Sequence, residues 1–253
     1  MVGNDGEPQH QYAIDPATMA AYGRVTRWGH CACLFARTKK GNLQVPNFHL
    51  ETQDQTAPGW RAITRLIEQS AHARAGILEP SSRIPWEDWI GVITLPMTIA
   101  SLEKVKQIRL YGSHLRRIPP DIGRMNALQS LDLYRSYLLH WLPYEVLRCR
   151  RLTESRMSVR ALYGNRKTRL PFPRLSNPIE LLLPSTCSVC DRSFDERAPR
   201  LHWTTQRVAT DTVPLLVHTC SKACVDSVPS APKGCFERPH RGGGGVGMPA
   251  PRR

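Results

Sequence analysis

The chain has no apolar run approaching the ~20 residues needed to cross a bilayer. Its opening segment, Met1 to Asp15, has no basic start followed by an apolar stretch. The expectation is a cytoplasmic protein with neither a signal peptide nor a membrane span. Disulfides do not persist in that setting, so eight cysteines in 253 residues point to metal ligation more than to cross-links. Acid is scarce: 21 Asp and Glu face 35 Lys and Arg, for a formal charge of +14. A phosphate-cradling glycine loop is not indicated, because Gly242 to Gly245 follow no strand and precede no helix. No Ser/His/Asp set can be located, and no thiol has a base held beside it. The chain is therefore expected not to be an enzyme.

One pattern occurs three times. It runs Leu95-Pro96-x-x-Ile99-x-x-Leu102-x-x-Val105, then Ile118-Pro119-x-x-Ile122-x-x-Met125-x-x-Leu128, then Leu142-Pro143-x-x-Val146-x-x-Cys149-x-x-Leu152. The copies start 23 and then 24 residues apart, at Leu95, Ile118 and Leu142. Between them, Ile108-Arg109-Leu110 and Leu131-Asp132-Leu133 alternate with the period of a strand. Such strands are too short to stand alone and need neighbours to cover their apolar side, so they are expected side by side and parallel. The prolines fall after the strands, where a missing donor does no harm. The spaced apolar residues that follow suit a helical or extended turn on the outer side.

The pattern and its period resemble the leucine-rich repeat family, in its bacterial Leu-Pro-x-x-Ile form. Ser113 and Ser136 stand where the family usually has Asn. The resemblance implies an α/β fold, a short solenoid whose parallel strands form a concave face. In this family that face commonly binds protein partners.

The rest of the chain divides around the repeats. Residues 1–20 are polar and aperiodic and read as disordered. Residues 21–92 read as a cap over the open end of the repeats, with a hairpin from Cys31 to Phe48 that includes Cys33. Two buried thiols explain Cys31 and Cys33 better than a metal site does. A helix is expected from Thr56, as cap, through Pro58 to about Ala73, with Gly76 as its stop. Its apolar stripe is Trp60, Ile63, Leu66 and Ile67. A second, short helical piece is expected from Ser82 to Ile90, carrying Trp86 and Trp89. Residues 93–175 hold the repeats, with 153–175 as their C-terminal cap.

The repeat spacing places Arg109 beside Asp132 and Asp132 beside Arg156, with Tyr111 beside Tyr134. Tyr and Arg are enriched where interfaces carry binding energy. They also serve as cross-strand ladders that only support a sheet. Between Arg148 and Arg174 nine basic residues face one acid, Glu154. Arg148, Arg150, Arg151, Arg160, Arg166, Lys167 and Arg169 would present a patch to nucleic acid or another acidic partner. A solvated basic flank has the same composition.

Residues 183–230 form a second unit. Cys187-x-x-Cys190 is followed, after a long interval, by Cys220-x-x-x-Cys224. Between them lie the two halves of a hairpin, Leu201 to Val208 and Val213 to Val217, joined by a turn at Thr210-Asp211. Ser221-Lys222-Ala223 suits the first turn of a short helix. Two pairs of thiolates favour zinc over harder ions, and four of them leave it no open position, so one structural zinc per chain is expected. This order of knuckle, hairpin and helix looks like a treble-clef zinc module. His202 and His218 are alternative ligands within the window. Residues 231–253, including Cys235 and His240, read as a disordered Gly/Pro/Arg tail.

The most direct reading is a non-catalytic protein-interaction scaffold with a structural zinc module. A nucleic-acid-associated zinc protein using the 148–174 stretch is the alternative. A remote third reading comes from bacterial leucine-rich repeat proteins that carry a cysteine ubiquitin ligase with a Cys-x-Asp motif. Cys224-Val225-Asp226 matches those letters, but that domain is large and helical, and the sequence between Cys224 and Arg253 is too short to hold it.

Overall fold

The computed structural model describes residues 49, 51–158, 161–163, 184–194, 198–208 and 211–228. The expected Cys31–Phe48 hairpin and both terminal tails lie outside them, as does most of the expected 153–175 cap.

The first element is helix α1, Pro58–His72. Pro58 opens it because its ring fixes a helical φ and its missing N–H has no partner there in any case. Thr56 does not cap it. The Thr56 hydroxyl is turned back 2.7 Å to the Asp54 carboxylate, and Ala57 holds the cap position without a side-chain bond. Nor does Gly76 stop the helix: the left-handed residue just past its end is Arg74, at φ 51°. Ile63 and Ile67 are fully buried, and Trp60 and Leu66 pack against the same core.

A strand that periodicity did not reveal follows: β1, Ile77–Leu78, two residues long. Its register is Ile77↔Gln107 and Leu78↔Ile108. Helix α2, Trp86–Trp89, is shorter than the expected Ser82–Ile90 piece, with Pro80–Ser82 forming a separate 3-10 turn. Strands β2, Gln107–Arg109, and β3, Ser130–Leu133, pair in parallel with Ile108 against Leu131, the register the repeat spacing requires. Strand β4, Leu142–Pro143, stands apart from them, and β5, Glu154–Met157, pairs with β3 with Leu131 against Ser155. The result is a four-stranded parallel sheet in the order β1-β2-β3-β5.

After each proline the chain makes a 3-10 turn: Met97–Ser101, Pro120–Arg124 and Tyr144–Arg148. The apolar positions Ile99, Ile122 and Val146 are all buried. Ser113 and Ser136 meet each other in the interior at 2.8 Å, and Ser136 also donates to the Leu110 carbonyl at 2.9 Å. These hydroxyls satisfy buried polar groups where the chain leaves the strands.

The C-terminal strands are β6, Arg200–Val208, and β7, Asp211–Thr219, an antiparallel pair with Trp203 opposite Leu216. They are not a free-standing hairpin. β7 also pairs in parallel with β4, Leu142 against Leu215, so Pro143 lies in a strand rather than after one. β4 is the edge of that sheet, which is where a strand proline is tolerated. Val213 and Leu215 join the same apolar core as Ile108 and Leu131. The fold is mixed α/β, with one core shared by the parallel sheet and the C-terminal hairpin. No helix among the described residues is long and apolar enough to cross a membrane.

Just before β4 in the chain, His140 is buried between His49 and Tyr163, with ring centroids 5.2 Å from each. Its Nδ1 lies 2.6 Å from the Ala161 carbonyl, which only a protonated nitrogen satisfies. Burial, reinforced by His49, drives its pKa down to about 3. An unfolded histidine titrates near 6.5. A depressed folded pKa means stability that is complete above about 6.5 and is lost as pH falls towards 3. The chain is thus expected to lose on the order of 1 kcal/mol per pH unit in that window. His140→Gln should flatten the slope of thermal stability measured from pH 7 to 4. An unchanged slope would remove His140 as its source.

Candidate metal centre and exposed sheet face

The four cysteines picked out by spacing come together. Their Sγ atoms all lie within 4.8 Å of one another. Cys190 is 3.5 Å from Cys220, and Cys220 is 3.8 Å from Cys224. All four are free thiols. Two local structures place them. In the knuckle, the Asp191 N–H donates to the Cys187 carbonyl at 3.0 Å, the Cys187 N–H donates to the Arg192 carbonyl at 2.8 Å, and Asp191 takes a left-handed φ of 61°. In the second pair, helix α3, Lys222–Ser227, begins straight after Ser221, whose side chain accepts from the Cys224 N–H at 3.2 Å. One helical turn then brings Cys220 and Cys224 to the same side.

The thiols are close enough to hydrogen-bond one another. A backbone N–H at Arg192 draws the Cys190 pKa down to about 7, while the hydrogen bond with Cys190 pushes Cys220 up to about 12. Such a set can hold a metal ion, which binds thiolates. Neither His202 nor His218 belongs to it. Both ring nitrogens of His218 are buried without a hydrogen-bond partner among the described residues, and burial drives its pKa to about 3.

Arg148 fastens the knuckle to the turn after β4. Its guanidinium pairs with Asp191 at 3.1 Å and donates to the carbonyls of Cys187 at 3.3 Å and Ser188 at 3.1 Å. In the sequence Arg148 opens the basic stretch; in the structure its guanidinium also holds the knuckle, with the side chain 32% exposed. Arg150 and Arg151 are exposed. Arg160, Arg166, Lys167 and Arg169 lie outside the described residues. Glu145, on the same turn as Arg148, is 3% exposed. Burial raises its pKa, against the smaller pull of the neighbouring Ser188 hydroxyl. That hydroxyl also accepts from the His218 N–H at 3.0 Å. Nothing in the sequence distinguished Glu145 from a solvated surface acid. Cys149 is a buried thiol facing the Ile122 carbonyl at 3.1 Å, with its pKa raised to about 11 by burial. It fills the apolar position the pattern assigned to it.

The exposed strand face of the parallel sheet carries Arg109, Asp132 and Arg156 in a row. Arg109 stands opposite Asp132 and Asp132 opposite Arg156 in the strand register. Arg156 reaches Asp132 at 3.5 Å, whereas Arg109 turns away to Glu79 at 3.4 Å. Tyr111 and Tyr134 lie side by side with ring centroids 6.0 Å apart. Arg135 sits over the Tyr111 ring at 5.7 Å and Arg156 over the Tyr134 ring at 5.3 Å. Among the described residues the exposed large apolar side chains are Ile77, Met97, Tyr111 and Tyr134, the two tyrosines at 46% and 41% exposure. Comparison with family profiles, with curated proteins and with solved structures found no match.

Proposed function

We propose that the chain is a non-catalytic protein-interaction scaffold built on leucine-rich repeats, and that a structural zinc of the treble-clef type secures its C-terminal part. The observation that carries the binding role is the Tyr111–Tyr134 pair, two large rings left exposed beside a sheet whose other face is buried. Rings with guanidinium groups over them lose little rotamer freedom on binding and offer apolar area and donors together. A parallel sheet whose register follows the repeat spacing, Ile108 to Leu131 to Ser155, supports the repeat reading. The thiol separations support zinc: with bonds of ~2.3 Å, a tetrahedral Zn–S4 site has S···S edges of about 3.8 Å. Cys224 is one of these four thiols, which leaves it unsuited to nucleophilic work of the ubiquitin-ligase kind.

The test is capture of a protein partner by the immobilised chain and by its Tyr111→Ala, Tyr134→Ala double variant. The variant should melt like the parent, because neither side chain belongs to the apolar core, and should lose capture by at least about tenfold. Equal capture by the double variant would sink the strand-face assignment. The nucleic-acid reading keeps one observation in its favour, the exposed Arg150 and Arg151. Binding that falls by orders of magnitude between about 50 and 200 mM salt would favour it instead.

A further inference from the structure

A cleft of about 340 Å³ opens between α1, the first two 3-10 turns of the repeats and β7. Trp60, Leu95, Ile118 and Trp141 supply much of its apolar wall, Gln53 and Gln55 line it as well, and two side chains that can carry positive charge interrupt it, Arg117 and His218. Arg117 is only 7% exposed. Its guanidinium donates to two backbone carbonyls, those of His49 and Glu51, and forms no ion pair among the described residues. The nearby carboxylate of Glu51 is already engaged, by Arg116 at 3.0 Å and His49 at 3.4 Å. Two arginines thus share one acid, leaving a net positive charge at the wall. His218 is 2% exposed and has, among the described residues, a partner for neither ring nitrogen. A buried cation whose nearby carboxylate is shared with a second arginine is under-compensated, and an unsatisfied buried imidazole is costly as well. An apolar cleft with a few polar groups is the usual form of a small-molecule site, and this volume lies at the lower end of that range.

We propose that this cleft binds a small organic acid, a carboxylate carried on an apolar body. The volume suits on the order of ten non-hydrogen atoms, at the ~30 Å³ each water takes in the liquid. The carboxylate completes the counter-charge that Arg117 only shares with Arg116, and the tail covers the tryptophan and leucine walls. This proposal is independent of the strand face, which lies on the parallel sheet and includes none of these residues.

Calorimetric titration of the full chain with octanoate, and separately with octanol, tests it. Octanoate should bind one to one, and octanol, with the same tail and no charge, at least about tenfold more weakly. Arg117→Gln should weaken octanoate by a similar factor and leave octanol unchanged. Should that variant fail to fold, Met97→Glu serves: Met97 lines the cleft and is 72% exposed, so it can take an acid without disturbing the core. The added negative charge should repel octanoate and spare octanol. No saturable octanoate binding at millimolar concentration overturns the proposal. So does octanol binding as tightly as octanoate, or octanoate binding that the folded variants leave unchanged.

Discussion

Replacing Cys187 and Cys220 together with serine should abolish metal binding and unfold the knuckle and α3, while the parallel sheet stays folded. The knuckle is 184–194 in the described chain, and its own apolar cluster consists only of Cys187, Phe194 and Cys224, flanked by Val189, Cys190 and Cys220. That is too little buried surface to order a segment against its conformational entropy. Metal binding can supply the difference, since apparent free energies for structural zinc in small peptides run to about 10–16 kcal/mol at neutral pH. The sheet has another source of stability, the continuous core that runs from Ile63 to Leu162 and takes in Val213 and Leu215 of β7. Amide hydrogen exchange should therefore show protection lost at Cys187 to Cys190 and in α3, retained in β2 and β3, and reduced in β6 and β7, which bridge the two parts. Elemental analysis of the reduced parent should give one zinc per chain and of the double variant none. Metal-free parent protein with the same exchange pattern would remove the metal centre altogether. A uniform collapse of protection would show instead that the two parts fold as one cooperative unit.

Spacing made some of this legible. The cysteine pairs, the hairpin between them and the register of β2, β3 and β5 all follow from local patterns whose period survives in three dimensions. Other elements carried no such signal. Strand β1 has two residues, one exposed and one buried, too few to show a period. Thr56 and Gly76 are residue types that often cap and stop helices, yet the Asp54 carboxylate took the threonine and Arg74 took the left-handed position. The docking of β7 on β4 pairs Leu142 with Leu215, segments far apart in the chain, and nothing local to Leu142-Pro143 announces it. The same is true of Arg148, a member of a basic run by sequence and a clamp on the knuckle carbonyls by structure. A charge count records how many arginines lie together, but not which of them a distant segment will use.

Gly123→Ala should cost about 2–3 kcal/mol, large for the addition of one methyl group. Gly123 lies in the turn Pro120–Arg124 and touches the next turn, Tyr144–Arg148. A Cβ built there would fall 2.5 Å from the Glu145 carbonyl oxygen and 2.8 Å from the Glu145 Cβ. Both atoms are close to the main chain, so no flexible side-chain end can swing aside. The turn holding Val146 must then move away from the turn holding Ile122, and both side chains leave the core they share. Glu145 is the contact point and its carboxyl group is itself buried, so it cannot shift without a further cost in solvation or packing. Arg148 lies on the same turn and holds the carbonyls of Cys187 and Ser188, which carries the displacement to the metal ligands. The melting temperature should drop by roughly 5–10 °C for a chain of this size. Zinc affinity should weaken in the same variant although no ligand has changed. A fall in melting temperature with unaltered metal affinity would confine the effect to the two turns. An unchanged melting temperature would show that they do not meet as closely as the Gly123 contact requires.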